Sequence, residues 1–122
     1  MKMLVPTAGP KPAKENAAYI LDMANKLGAE VAVLHILDVG EFDEGRTALD
    51  IFEESSKDYA VKVETYLKEG KIVPTICEFA KDINADLIVM GASKGQIVAD
   101  WIVTGVLKDT QKPVVIIPWA YV

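Results

Sequence analysis

Three short runs constrain this chain more than anything else in it. They are Val31-Ala32-Val33-Leu34-His35-Ile36-Leu37, Asp86-Leu87-Ile88-Val89-Met90-Gly91 and Pro113-Val114-Val115-Ile116-Ile117-Pro118. A strand with one wet face alternates in polarity. A strand that reads apolar almost throughout is buried on both faces, as in parallel sheets. Parallel neighbours need long crossovers, so helices are expected between the runs.

The intervening segments have helical spacing. Ala17, Ile20, Leu21, Ala24 and Leu27 recur at three and four, which predicts a helix over 13–27, and Gly28 follows where a terminating glycine belongs. Further helices are expected over 47–58, over 74–83 with Ile76, Phe79, Ala80 and Ile83 on one side, and over 98–110. Residues 3–7 read as another buried strand, and Gly9-Pro10-Lys11-Pro12 reads as a turn that ends it. Residues 39–46 read as an acidic loop. The stretch 61–68 mostly alternates in polarity, which suits a strand near a sheet edge. Prolines on both sides of 114–117 suggest the other edge, because proline cannot donate to a ladder. The order is β-α-β-α-β-α-β-α-β, so the expectation is one α/β domain over 1–122 with a parallel sheet and right-handed crossovers.

Composition narrows the function. Acidic residues outnumber basic ones, 18 to 13, giving a net charge of −5. Nucleic-acid binding needs clustered Lys and Arg to neutralise phosphates, and an anionic membrane attracts the same residues. Neither partner is expected. With one cysteine, Cys77, and one histidine, His35, a Cys/His metal site is not expected either. No stretch reads as a signal peptide or a membrane span, so the cytoplasm is the expected location.

Several stretches together resemble the universal stress protein family. They are Met3-Leu4-Val5-Pro6 with Gly9, the alanine-rich helix ending Lys26-Leu27-Gly28-Ala29-Glu30, Leu34-His35-Ile36, Ala85 to Gly91, and Lys112-Pro113-Val114-Val115-Ile116. The resemblance implies strand order 3-2-1-4-5 with helices on both faces, the adenine-nucleotide alpha-hydrolase-like fold. Strands 1 and 4 then flank the topological switch point, where such sheets bind ligands at the carboxyl ends of their strands. Thr7, Ala8, Gly9, Ile36, Gly91, Ser93, Lys94 and Gly95 would line that crevice.

Many members of the family bind ATP there. Their pattern is a glycine, two residues, a glycine, nine residues, then Gly-Ser or Gly-Thr. Such glycines let backbone N–H groups approach phosphates. This chain departs from the pattern. Gly91 and Gly95 are separated by three residues rather than two, and Val106 follows Gly105 where a hydroxyl belongs. Counting back from Pro113 gives a second register. There Ile102, Val106 and Leu107 take the apolar helix positions, Asp100 stands at the helix start, and Gly105 lies inside the helix. Ala8 occupies the place of an Asp that nucleotide-binding members usually carry. The expected function is therefore a stress-response regulatory or protective module acting by binding. The alternatives are an ATP or AMP switch at the crevice and a slow ATPase.

Other residues read more plainly. His35 lies in a buried strand without an evident catalytic partner, which predicts a hydrogen-bonded structural histidine. Cys77, beside Glu78, predicts a packing thiol. Lys11 and Lys14 oppose the dipole of the first helix, and Glu41, Asp43 and Glu44 read as a solvated loop. The family commonly dimerises through its last strand. The expected homodimer interface is Val114, Val115, Ile116, Ile117 and Trp119, with a further protein partner left open.

Overall fold

The computed structural model describes residues 1–37, 42–92 and 100–118. Five strands are arranged as expected: β1 (Lys2–Pro6), β2 (Glu30–Leu37), β3 (Val63–Glu69), β4 (Leu87–Gly91) and β5 (Val114–Ile117). They form one sheet in the order β3-β2-β1-β4-β5, and every pairing is parallel. Four helices connect them: α1 (Pro10–Leu27), α2 (Phe42–Ser56), α3 (Ile72–Asp82) and α4 (Asp100–Thr110).

The period of two along each strand sorts side chains onto two faces. Met3, Val5, Val31, Val33, Leu87 and Val89 pack with residues of α1 and α2 such as Ile20, Leu21, Leu49 and Phe52. Leu4, Ala32, Leu34, Ile88 and Met90 pack on the opposite face with Ile76, Phe79 and Ala80 of α3 and Val106 of α4. At the central strands β2, β1 and β4 both faces are therefore dry, which is why those strands read as continuous apolar runs.

Three boundaries differ from the expectation for physical reasons. Residues 10–12 belong to α1, whose first turn holds Pro10 and Pro12. First-turn N–H groups have no partner within the helix, so proline loses nothing there. The acidic segment is largely helix as well. Asp43 and Glu44 form the first turn of α2, where carboxylates face the positive end of the helix dipole. Glu41 lies outside the described residues. Helix α3 begins at Ile72, with Pro74 inside its first turn.

Among the described residues, strand β3 is an edge, paired only with β2, and β5 is the other edge, paired only with β4. Gly28 ends α1 in the left-handed conformation with φ 65°, and Ala29 N–H donates to the Ala24 carbonyl at 2.8 Å. Gly105 lies inside α4, and a Cβ there would stand 2.8 Å from Val73 Cγ1. The glycine lets α4 approach α3 closely. Ile102 and Val106 face the core, whereas Leu107 is exposed. On β5, Ile117 is buried against the α1/α2 face of its own chain and Ile116 is 40% exposed. An interface on this edge would thus meet Ile116 rather than the Ile117 side chain. Val114 and Val115 are half-buried, and Trp119 lies outside the described residues.

Helix α2 holds the sheet mainly through Leu49 and Phe52, both fully buried. Truncating Phe52 to Ala should cost about 3–5 kcal/mol. Urea unfolding of the two proteins checks this, and a loss below about 1 kcal/mol would mean that α2 does not pack as described.

Candidate functional site

The order in which strands are added reverses at β1, which has β2 on one side and β4 on the other. The β1–β2 ladder runs from Lys2↔Glu30 to Pro6↔Leu34. The β1–β4 ladder joins only Met3↔Leu87 and Leu4↔Ile88. Beyond it, the chain leaves β1 through Thr7, Ala8 and Gly9 into α1 and leaves β4 through Gly91 and Ala92. The crevice expected at a topological switch point opens between these exits.

The structure brings together the described candidates from the sequence. Thr7 is buried, and its N–H donates to the Leu34 carbonyl at 2.9 Å. Ala8 is exposed. Gly9 precedes α1 in an extended conformation, and a Cβ there would meet nothing within 4 Å. Ile36 lies two residues beyond the last β1–β2 pair and packs against the α3/α4 core. Gly91 is the last residue of β4. Ser93, Lys94 and Gly95 lie outside the described residues.

One site residue was missed from the sequence. Asn16 on α1 is 4% exposed, and its Nδ2 donates to the Ala92 carbonyl at 2.8 Å and to the Pro12 carbonyl at 3.0 Å. It thereby spans the two walls of the crevice. A Cβ on Gly91 would stand 2.4 Å from Asn16 Nδ2, so the glycine makes room for the carboxamide. A signal was present: position 16 falls on the buried face of α1 with Ala13, Ala17 and Ile20, where an unpartnered amide would be costly.

His35 packs under the same crevice. It is 2% exposed, and its Nδ1 meets the Thr7 carbonyl at 2.8 Å. A carbonyl can only accept, so Nδ1 carries the proton. Nε2 has no hydrogen-bond partner among the described residues. A Cβ on Gly45 of α2 would come within 2.3 Å of the His35 ring. The hydrogen bond expected for His35 is made to Thr7, and Gly45 lets α2 come close to the ring.

The fold and crevice can now be set beside known proteins. The family model described as "Universal stress protein family" matches residues 1–118. The chain belongs to the universal stress protein family. Universal stress protein MJ0531 of Methanocaldococcus jannaschii is 29% identical over 138 aligned positions, covering 95% of this chain and 81% of that protein. The universal stress protein from Archaeoglobus fulgidus in complex with dAMP superposes with a TM-score of 0.76 at 21% identity, covering 96% of this chain and 97% of that one. An Arabidopsis thaliana family member with AMP bound gives 0.73 at 20% identity, with coverages of 98% and 92%. These structural likenesses show that the fold is shared.

Elsewhere in this universal stress protein, Tyr66, Glu64 and Cys77 have shifted titrations with local causes. Among the described residues no cluster of His, Cys, Asp and Glu could hold a metal ion, and no described helix is long and apolar enough to cross a membrane. At the amino end of the sheet, Tyr66 donates to the Glu64 carboxylate at 2.5 Å. That bond holds the phenol above its ordinary range and, with Lys62, the carboxyl below its own. Cys77 on α3 is half-buried. Burial pushes its thiol up, and Asp109 on α4 adds to the effect. The thiolate is the nucleophile. Cys77 should therefore react with a disulfide reagent at neutral pH about tenfold more slowly in the folded protein than after denaturation. Stopped-flow absorbance compares the two, and equal rates would contradict the protected setting.

Proposed function

We propose that this universal stress protein is a stress-response regulatory or protective module that acts by binding rather than catalysis, without tight ATP binding. The observation that carries the reading is the place of Gly105. It lies inside α4 against Val73, and Val106 beside it is in the core. A glycine used for helix packing is not available to a phosphate loop.

Three further features support it. Helix α4 has Asp100 in its first turn, and that carboxylate competes with any anion for the positive end of the dipole. Pro10 and Pro12 remove two N–H donors from the start of α1. Ala8 stands where nucleotide-binding members usually carry an Asp.

An adenine-nucleotide switch is the second reading. It is favoured by the shared fold of the dAMP-bound and AMP-bound relatives and by the open space above Gly9. Calorimetric titration of ATP and AMP into nucleotide-free protein with magnesium separates the two. The first reading expects no binding tighter than ~100 μM, equivalent to about −5.5 kcal/mol. Tighter binding establishes the second reading and overturns the first.

The same reading includes a homodimer through β5. Its outer edge has no partner strand within the described chain, and Ile116 presents 40% of its surface beside half-buried Val114. Unpaired edges recruit other strands, and a second copy of β5 would satisfy this one. Light scattering after size exclusion should report a dimer for the native chain and a monomer for Ile116→Lys. A native monomer at high micromolar concentration would rule the dimer out.

A further inference from the structure

We propose that Asn16 is the positioning residue of the crevice, clamping the exit of β4 to the first turn of α1, and that Gly91 lacks a side chain to admit it. The proposal rests on the crevice being the binding site only for its functional meaning. Its geometry stands alone.

Two N–H bonds leave one carboxamide nitrogen in opposite directions along the sequence. One reaches Pro12, four residues away on the same helix, and the other reaches Ala92, 76 residues away. Ala92 in turn donates its N–H to the Ile117 carbonyl of β5 at 2.9 Å. The chain from α1 through Asn16 and Ala92 to β5 is therefore continuous. The amide and its bond to the Ala92 carbonyl are withdrawn from water, so losing the donor strands that acceptor as well as breaking one bond, whereas the Pro12 carbonyl is half-buried and keeps its helical partner. A hydrophobic side chain of the same size could fill the space but could not hold the carbonyls. A ligand entering the crevice thus meets walls of fixed separation.

Gly91 follows from the same contact. Asn16 Nδ2, Cγ and Cβ lie 2.4, 2.6 and 3.1 Å from where its Cβ would be. Glycine at the end of β4 is explained by a neighbouring side chain, without any phosphate.

The test uses the full chain and two independent arms. In the first, amide hydrogen exchange is measured for the native protein and Asn16→Leu, which fills space without donating. The clamp predicts that exchange at Ala92 accelerates about tenfold or more while Val33 and Ile88 keep their protection. Unchanged protection at Ala92, or an equal loss at all three, would overturn the proposal. The second arm serves if that variant fails to fold. It is a double-mutant cycle of Gly91→Ala and Asn16→Ala, read as urea midpoints. Gly91→Ala should shift the midpoint strongly in the native background and by less than about half as much beside Asn16→Ala. Additive shifts would sink the pairing. Neither arm uses a ligand, so failure of nucleotide or partner binding leaves both results standing, and failure here leaves the binding reading intact.

Discussion

The central strands of this sheet have to be covered twice, and the rest of the architecture follows from that demand. Met3, Leu4 and Val5 are consecutive and all buried, although they point to alternate faces. Water can be kept from both faces only if helices lie on each. With right-handed crossovers, the chain covers one face while it runs β1 to β2 to β3, then returns across the sheet to cover the other. Helices α1 and α2 therefore share one layer, and α3 and α4 share the second. The return also creates the switch point. The crevice between β1 and β4 is a by-product of covering a two-sided sheet with one chain.

Close packing of these layers is achieved through paired residues of unequal size. Gly45 accommodates the His35 ring, Gly91 accommodates the Asn16 carboxamide, and Gly105 accommodates Val73. In each pair the larger side chain comes from a neighbouring element. Such contacts bring backbones nearer than two side chains would allow, and they fix the relative position of the elements. Two of the three pairs flank the crevice. His35 holds the Thr7 carbonyl, and Asn16 holds those of Pro12 and Ala92. The site is thus shaped from behind, by polar side chains that no ligand needs to touch.

Much of this was legible in the residues. The apolar runs located β2, β4 and β5, the three-and-four spacing located α1 and α3, and the alternating stretch near Glu64 marked an edge. The misreadings have a common cause. Pro10, Pro12, Asp43 and Glu44 carry the chemistry of loops, yet each suits the first turn of a helix, where N–H groups are free and the dipole is positive. Gly45 likewise reads as loop until His35 is seen beside it. Thr7, Gly9, Ile36 and Gly91 could be named as candidates through the family resemblance. Asn16 could not, because its two acceptors are backbone carbonyls, and one of them lies far along the chain.

By itself the sequence determined the class of fold, since the period and apolarity of each segment are local properties that follow from how far a side chain must be from water. It also determined the family, whose pattern extends over most of the chain. Tertiary structure decided which glycine serves packing and which edge residue stays exposed. Gly105 and Gly91 look alike as letters, and so do Ile116 and Ile117. Their roles depend on what another element places within a few ångströms. That proximity is set by how the layers pack, not by the spacing of residues along one strand or helix.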